Sequence, residues 1–235
     1  MYGPDTARVY DDFYHSLGKD YVAEAQVIAD VVARLNPGAT SLLDVACGTG
    51  EHLRHLVGRF DVAGVELSKP MVEVARRKLP DVEFHVGDMR SFDLSRTFDV
   101  VTCMFSAIGY SGSVAGLGQT VASMAAHLRP GGVVIVESSF WPKGWIEGHL
   151  AHHVFVSDDK TILRLSHSSR AERIAILDMQ HLIGDAAGIK HFRERHELYM
   201  FDVDEYESAF ENAGLSVRLE PDLLRGLYVG VATDG

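Results

Sequence analysis

The chain has 235 residues, a length that fits one domain with room for an insertion and can bury a full core without disulfide or metal staples. Thirty-three Asp and Glu against 22 Lys and Arg leave a formal charge of −11, the wrong sign for a general nucleic-acid or anionic-membrane binder. Hydrophobic residues at 46% with 23% charged exclude wholesale disorder, and no run approaches the ~20 apolar residues of a membrane helix.

Cys47 and Cys103 sit in apolar runs and read as reduced core residues of a cytoplasmic protein. The N-terminus lacks the basic-then-apolar pattern of a secretion signal, so a soluble intracellular protein is expected. The first segment carries Tyr2, Tyr10, Tyr14 and Tyr21 in a region that can form an amphipathic helix. Ser41–Ala46 (SLLDVA) is a predicted strand ending in a glycine turn, and Glu51–Gly58 has helical spacing with Leu53, Leu56 and Val57 on one face. Val62–Glu66 is a second strand, Lys69–Leu79 a helix closed by Pro80, and Val82–Val86 a short third strand. Phe98–Met104 reads as a strand buried on both faces, Val114–Leu128 as a helix broken at Pro130-Gly131-Gly132, and Val133–Glu137 as a fifth strand. Strand–helix alternation of this kind predicts an α/β fold with a parallel sheet and helices on both faces.

The pattern changes after Glu137. HVFVS, TILRLSHS, RIAILDMQHLI and HFRERHELYMF look like strands, and several of them alternate polar and apolar residues, as antiparallel strands with one solvated face do. Asp204–Ala213 is a predicted helix stopped by Gly214, followed by strands at Leu215–Leu219 and Gly226–Ala232. The predicted organisation is a core over residues 1–137, an antiparallel insertion over 138–201 serving as lid or interface, and a return to the core sheet over 202–235.

Leu43-Asp44-Val45-Ala46-Cys47-Gly48-Thr49-Gly50 places glycines at a strand-to-helix turn, where a ligand can approach the backbone closely. A dinucleotide fingerprint needs a third glycine where this chain has Leu53, so a nicotinamide enzyme is not indicated. Asp44 and Glu51 flank the turn, which suits a ligand that is neutral or cationic there better than a phosphate. Asp44-x-Ala46-x-Gly48-x-Gly50 resembles the first motif of class I S-adenosylmethionine (SAM) methyltransferases, a Rossmann-like fold. In that family an acid ending the second strand, here Glu66 followed by Leu67, binds both ribose hydroxyls; a carboxylate can accept two hydrogen bonds from a diol. The resemblance places Gly87-Asp88-Met89 at the adenine, and Met104 and Phe105 beside the methionine moiety.

Longer strings narrow the resemblance. LLDVACGTGxHLxHL, ELSxxM, GDMRxF, MFSxxGY, LxPGGVVxVE, RxSHSxR and RGLxxG are similar to the amino-sugar N-methyltransferases of macrolide antibiotic biosynthesis, which dimethylate the amine of dTDP-linked deoxysugars such as the precursors of desosamine and mycaminose. The resemblance implies a homodimer, makes Tyr2 and Tyr110 active-site residues, and places Tyr10, Lys19 and Tyr21 near the cofactor. It also implies that Arg225 contacts the nucleotide diphosphate, with Ser106, Trp141, Arg164 and His167 as further substrate contacts. A guanidinium fork suits phosphate oxygens. The chain departs from the pattern at Ser138-Ser139-Phe140-Trp141-Pro142 and at Glu220-Pro221-Asp222-Leu223-Leu224, which leaves an amine at C3 or at C4 open.

Twelve histidines include His52 and His55 on one helix and the pair His152-His153, but neither has zinc-site spacing, and no nucleophile elbow is present. No metal is expected. The expected chemistry is direct transfer of the SAM methyl group to a neutral amine, with Tyr2 and Tyr110 orienting the nitrogen and the proton leaving to water. Methylation of another small metabolite, and SAM binding without catalysis, stay open as alternatives.

Overall fold

The computed structural model of the chain describes residues 2–139 and 145–232. Among them, no helix is long and apolar enough to cross a membrane.

Two N-terminal helices, α1 (Pro4–Ser16) and α2 (Tyr21–Leu35), precede the sheet, and Gly18 at φ +78° makes the turn between them. The alternation then gives β1 (Ser41–Val45), α3 (Glu51–Leu56), β2 (Asp61–Glu66), α4 (Lys69–Lys78), β3 (Glu83–Val86) and β4 (Phe98–Cys103). A short 3-10 turn over Ala107–Ser111, α5 (Val114–Ala126) and β5 (Leu128–Glu137) complete this half. Side-chain caps mark the helix starts: Asp20 accepts from the Ala23 amide at 2.9 Å, and Ser68 and Ser113 cap α4 and α5.

Four further strands, β6 (Leu150–Val156), β7 (Lys160–Ala171), β8 (Ile174–Asp185) and β9 (Gly188–Tyr199), form an antiparallel sheet in that order. Then come α6 (Val203–Asn212), held by an Asp202/Glu205 capping box, β10 (Leu215–Glu220) and β11 (Leu227–Ala232). The last two strands join the first sheet, whose order is β10-β11-β5-β4-β1-β2-β3. Its β3-β2-β1-β4-β5 portion is parallel, and β11 and β10 add antiparallel. The predicted mostly parallel sheet and antiparallel insertion are therefore present. Strand order reverses between β1 and β4, the place where open α/β sheets bind ligands.

Alternate residues of each central strand feed two cores. Leu43, Val45, Val101 and Val134 pack with α5 and α6 residues such as Leu117, Val121 and Phe210. Leu42, Val100, Val133 and Ile135 face Ile28, Val31 and Leu53 from α2 and α3. A third cluster of Val9, Phe13, Ile162 and Ile183 fastens α1 to the antiparallel sheet. Several boundaries differ from the sequence expectation, most of all at the start of β5. The helix before β5 ends at Ala126 instead of Leu128, and Leu128 already pairs with Phe98. Pro130 and Gly131 (φ +71°) do not end the strand; the register shifts between Phe98 and Val100, so they are absorbed as a bulge.

Candidate active site

The carboxyl ends of β1, β2 and β4 and the inner face of the antiparallel sheet enclose a cleft of about 830 Å³, crossed by the N-terminal segment and α1. On the first wall, the β1–α3 turn runs through Ala46 (φ +57°), Gly48 (φ +56°) and Gly50 (φ +75°). Nothing lies within 4 Å of where a Gly48 side chain would project, so its backbone is open to the cleft. Gly50 does not reach the cleft. It caps α3 against the Phe84 ring, where a Cβ would sit 3.1 Å away.

Glu66 ends β2 and receives the Ser68 amide at 2.7 Å and the Gly48 amide at 3.1 Å, one on each carboxylate oxygen. Burial lifts its carboxyl above the ordinary value, and those amides oppose the rise. Each oxygen keeps acceptor capacity for a diol. Leu67 and Met89 line the same wall, with Asp88 held at its edge by an Arg90 fork at 2.6–3.2 Å that lowers the Asp88 pKa.

Asp44 is close by but beneath the wall. It is 2% exposed, accepts the Thr102 hydroxyl at 2.7 Å, and burial pushes its pKa up to about 6. Its part is to tie β1 to β4 under the turn. Tyr21 likewise turns away from the cleft, its ring edge against His52 at 5.0 Å.

Met104 continues β4 into Phe105 and Ser106, two non-glycine residues in the left-handed region (φ +57° and +58°). Such strain persists only when neighbours fix it. Here the Phe105 amide donates to Glu137 at 2.5 Å and the Ser106 hydroxyl to the Ser138 carbonyl at 3.0 Å. The turn presents the Phe105 ring to Lys19, whose ammonium lies 3.7 Å from the ring centroid and 2.6 Å from Glu24. Glu24 also meets His52 Nε2 at 2.7 Å. Burial alone would raise the Glu24 pKa, but its contacts with His52 and Lys19 hold it below the ordinary value.

The second wall is aromatic and cationic. Tyr2 is pinned by the Ser68 hydroxyl on its carbonyl at 2.8 Å and packs edge-on against Tyr10 at 5.3 Å. Burial raises the pKa of Tyr2 and of Tyr110 well above the ordinary phenol value, so both stay neutral. Arg225 reaches in from the segment before β11, 3.3 Å from the Ser106 hydroxyl and 3.8 Å from Glu137. Arg164 stacks at 4.1 Å over Phe13, on the β7 face that also carries Ser166 and Ser168. His167 falls on the opposite, exposed face, because side chains alternate along a strand. Trp141 lies outside the described residues.

The structure thus gathers Tyr2, Tyr10, Lys19, Ala46, Gly48, Glu66, Leu67, Asp88, Met89, Met104, Ser106, Tyr110, Arg164 and Arg225 around one cleft. It leaves Tyr21, Asp44, Gly50 and His167 off its surface. Sequence reasoning missed Glu24, Glu137 and His196, which line it. A lone acid closing the apolar run Val133–Glu137 was a usable signal for Glu137; nothing local distinguishes the other two. Among the described residues no cluster of His, Cys, Asp or Glu could hold a metal ion.

Residues 42–132 match the family model of a methyltransferase domain. Over 98% of its length the chain is 47% identical to a dTDP-3-amino-3,4,6-trideoxy-alpha-D-glucopyranose N,N-dimethyltransferase of Streptomyces venezuelae, covering 99% of that protein. It is 39% identical, over 98% of its length and 94% of the relative, to a dTDP-4-amino-2,3,4,6-tetradeoxy-D-glucose N,N-dimethyltransferase of Saccharopolyspora spinosa. The SAM-bound structure of CalS10, an amino pentose methyltransferase of calicheamicin biosynthesis from Micromonospora echinaspora, superposes with a TM-score of 0.85 at 41% identity, covering 96% of this chain and 97% of that one. The chain belongs to the family of dTDP-amino-sugar N,N-dimethyltransferases.

Proposed function

We propose that this chain transfers methyl groups from SAM to the amine of a dTDP-linked amino-deoxysugar, twice, in antibiotic biosynthesis. The observation that carries the reading is the two-sided cleft. A carboxylate fit for a diol stands on one wall, and two neutral phenols and a guanidinium stand on the other. The first wall fits SAM. Glu66 would hold the ribose hydroxyls, Asp88 and Met89 would flank adenine, and Gly48 leaves room for the amino-acid end. Lys19, Tyr10 and Met104 would close around the methionine moiety. The bound cofactor supplies an electrophilic methyl on a sulfonium centre.

The protein's own work is alignment, since a neutral amine is already nucleophilic and holding it in line can supply an effective molarity of ~10⁵ M or more. Tyr2 and Tyr110 orient the lone pair. Arg225, backed by Glu137, receives the diphosphate; Ser106 and Arg164 border the same end. Residues 1–137 and 202–235 act as the cofactor-binding body, and 138–201 as the lid over the acceptor. The protein works in the cytoplasm as a homodimer. The outer face of the antiparallel sheet, with Leu150, Val154, Val156, Leu165, Leu182 and Ile189 exposed, is the surface we assign to the second copy, and sedimentation tests it.

Incubation with SAM and a panel of C3- and C4-amino dTDP sugars, read by product mass, tests the reading. One panel member should gain two methyl groups, while the free amino sugar and the finished glycoside should not. Equal methylation of the free amine, or no product from any nucleotide sugar, contradicts it.

A further inference from the structure

Each N-methylation leaves a protonated amine, and a second methylation cannot start until that proton has gone, because an ammonium has no lone pair. Behind Tyr110 lies a row of titratable side chains that alignment alone does not use. The Tyr110 hydroxyl is 2.8 Å from His196 Nδ1, and His196 is 2% exposed. Its Nε2 faces Glu194 Oε2 at 3.7 Å, and the same oxygen lies 3.5 Å from His181 Nε2. The two-residue spacing on β9 puts Glu194 and His196 on one face, toward the cleft. Tyr2 covers the imidazole, ring centroids 4.6 Å apart.

The charged and titratable groups facing this row come from several elements. They are Tyr2 and, from α1, Tyr14; Tyr110; Arg164 on β7; His181 on β8; and Glu66 across the cleft. Burial alone would raise the Glu194 pKa, but contacts with His196, Thr6 and His181 hold it below the ordinary value, so it is a carboxylate at neutral pH. Burial holds His181 down to about 4, so it is neutral there. His196 therefore has an ionised partner on its Nε2 side and a phenol on its Nδ1 side. A tautomer with the proton on Nε2, toward Glu194, leaves the Nδ1 lone pair for the Tyr110 O–H.

We propose that His196, oriented by Glu194, accepts the proton of the methylated amine through the Tyr110 hydroxyl. The ammonium N–H bond breaks and its electron pair returns to nitrogen. The proton passes to Tyr110 Oη as the phenol's own proton moves to His196 Nδ1, which regenerates neutral Tyr110 and leaves an imidazolium beside the Glu194 carboxylate. The imidazolium returns its proton to water when the cleft opens. His196 does not touch the amine, so it is a positioning residue that acts through Tyr110. This rests on the N-methylation reading and replaces direct loss of the proton to water.

His196→Asn tests it, because an amide oxygen can still accept the Tyr110 hydroxyl but cannot take up a proton. With SAM and a dTDP-amino sugar near pH 7, kcat should fall about 10- to 100-fold, toward the lower end of what a lost acid–base group costs. The acidic limb of the kcat profile should move to higher pH, singly methylated product should accumulate, and KM for the sugar should hold. Glu194→Gln, which leaves the imidazolium without its carboxylate partner, should lower kcat and raise the share of singly methylated product in the same direction, and it decides the matter if thermal melting shows His196→Asn to be unfolded. For His196→Asn, an unmoved limb with an unchanged product ratio overturns the relay, as does a fall in kcat without movement of the limb. Wild-type protein that methylates no dTDP-amino sugar overturns the parent reading together with the relay; wild-type turnover with unaffected variants overturns the relay alone.

Discussion

The two walls of the cleft are built by different means. The wall we assign to SAM is made mainly of turns at the carboxyl ends of β1 to β4, where the backbone amides of Gly48 and Ser68 hold the Glu66 carboxylate. The wall we assign to the acceptor is made of side chains delivered from distant parts of the chain. Tyr14 and Arg164, 150 residues apart, meet at 3.4 Å, and Arg225 reaches Ser106 across 119 residues. A backbone-built wall is common to any sequence that keeps the turn, so on this assignment it would fix the cofactor. A side-chain wall can be rewritten residue by residue, so on this assignment it would set which sugar is accepted.

If the walls are separable, a substitution in one should leave the other's ligand alone. The largest effect is expected from Glu66→Ala. Loss of two charge-assisted hydrogen bonds should weaken SAM about 100-fold in calorimetry and leave dTDP-sugar binding unchanged. Unaltered SAM affinity would remove the ribose assignment.

Next comes Asp44, which lies under the first wall. Its folded pKa of about 6 stands above the ordinary 3.8, so the group contributes stability below about pH 4 and loses it as pH rises through 6. Asp44→Asn lacks that loss. The melting-temperature gap between variant and wild type should widen in the variant's favour from pH 4 to 7, by roughly 2 kcal/mol in stability. A pH-independent gap would show that Asp44 ionises freely in the fold.

Arg225→Ala crosses the comparison from the other side. It should raise KM for the nucleotide sugar about 10-fold with SAM affinity intact, and an effect confined to SAM would break the division. The smallest effect is expected from Tyr2→Phe. Because the hydroxyl only helps to orient the amine, kcat/KM should drop by roughly 1 kcal/mol or less. A loss of ~10⁴-fold would mean that Tyr2 takes part in obligatory proton transfer.

The same division explains what could be read from the residues. Gly48, Gly50 and Glu66 stand out because a strand-to-turn-to-helix geometry demands particular residues at short, fixed spacings. The alternation in β6 to β9 revealed the insertion, and the resemblance supplied Tyr2, Tyr110 and Arg225. Depth within the wall was not legible. Asp44 and Gly50 share a motif with Gly48, yet one lies beneath the turn and the other packs on Phe84. His167 sits between Ser166 and Ser168 in the string that drew attention, but the two-residue period turns it outward. Glu24 and His196 left no trace, because only the docking of α2 and β9 over the sheet brings them to the cleft, with Glu194 behind His196.

A crystal structure with S-adenosylhomocysteine and a dTDP-amino sugar bound together would test the division of labour most directly. The expected result has both ribose hydroxyls on Glu66, the diphosphate on Arg225, and the sugar amine within hydrogen-bonding reach of Tyr2 and Tyr110, in line with the sulfur. A diphosphate lodged away from Arg225, or an amine directed away from the two tyrosines, would contradict it.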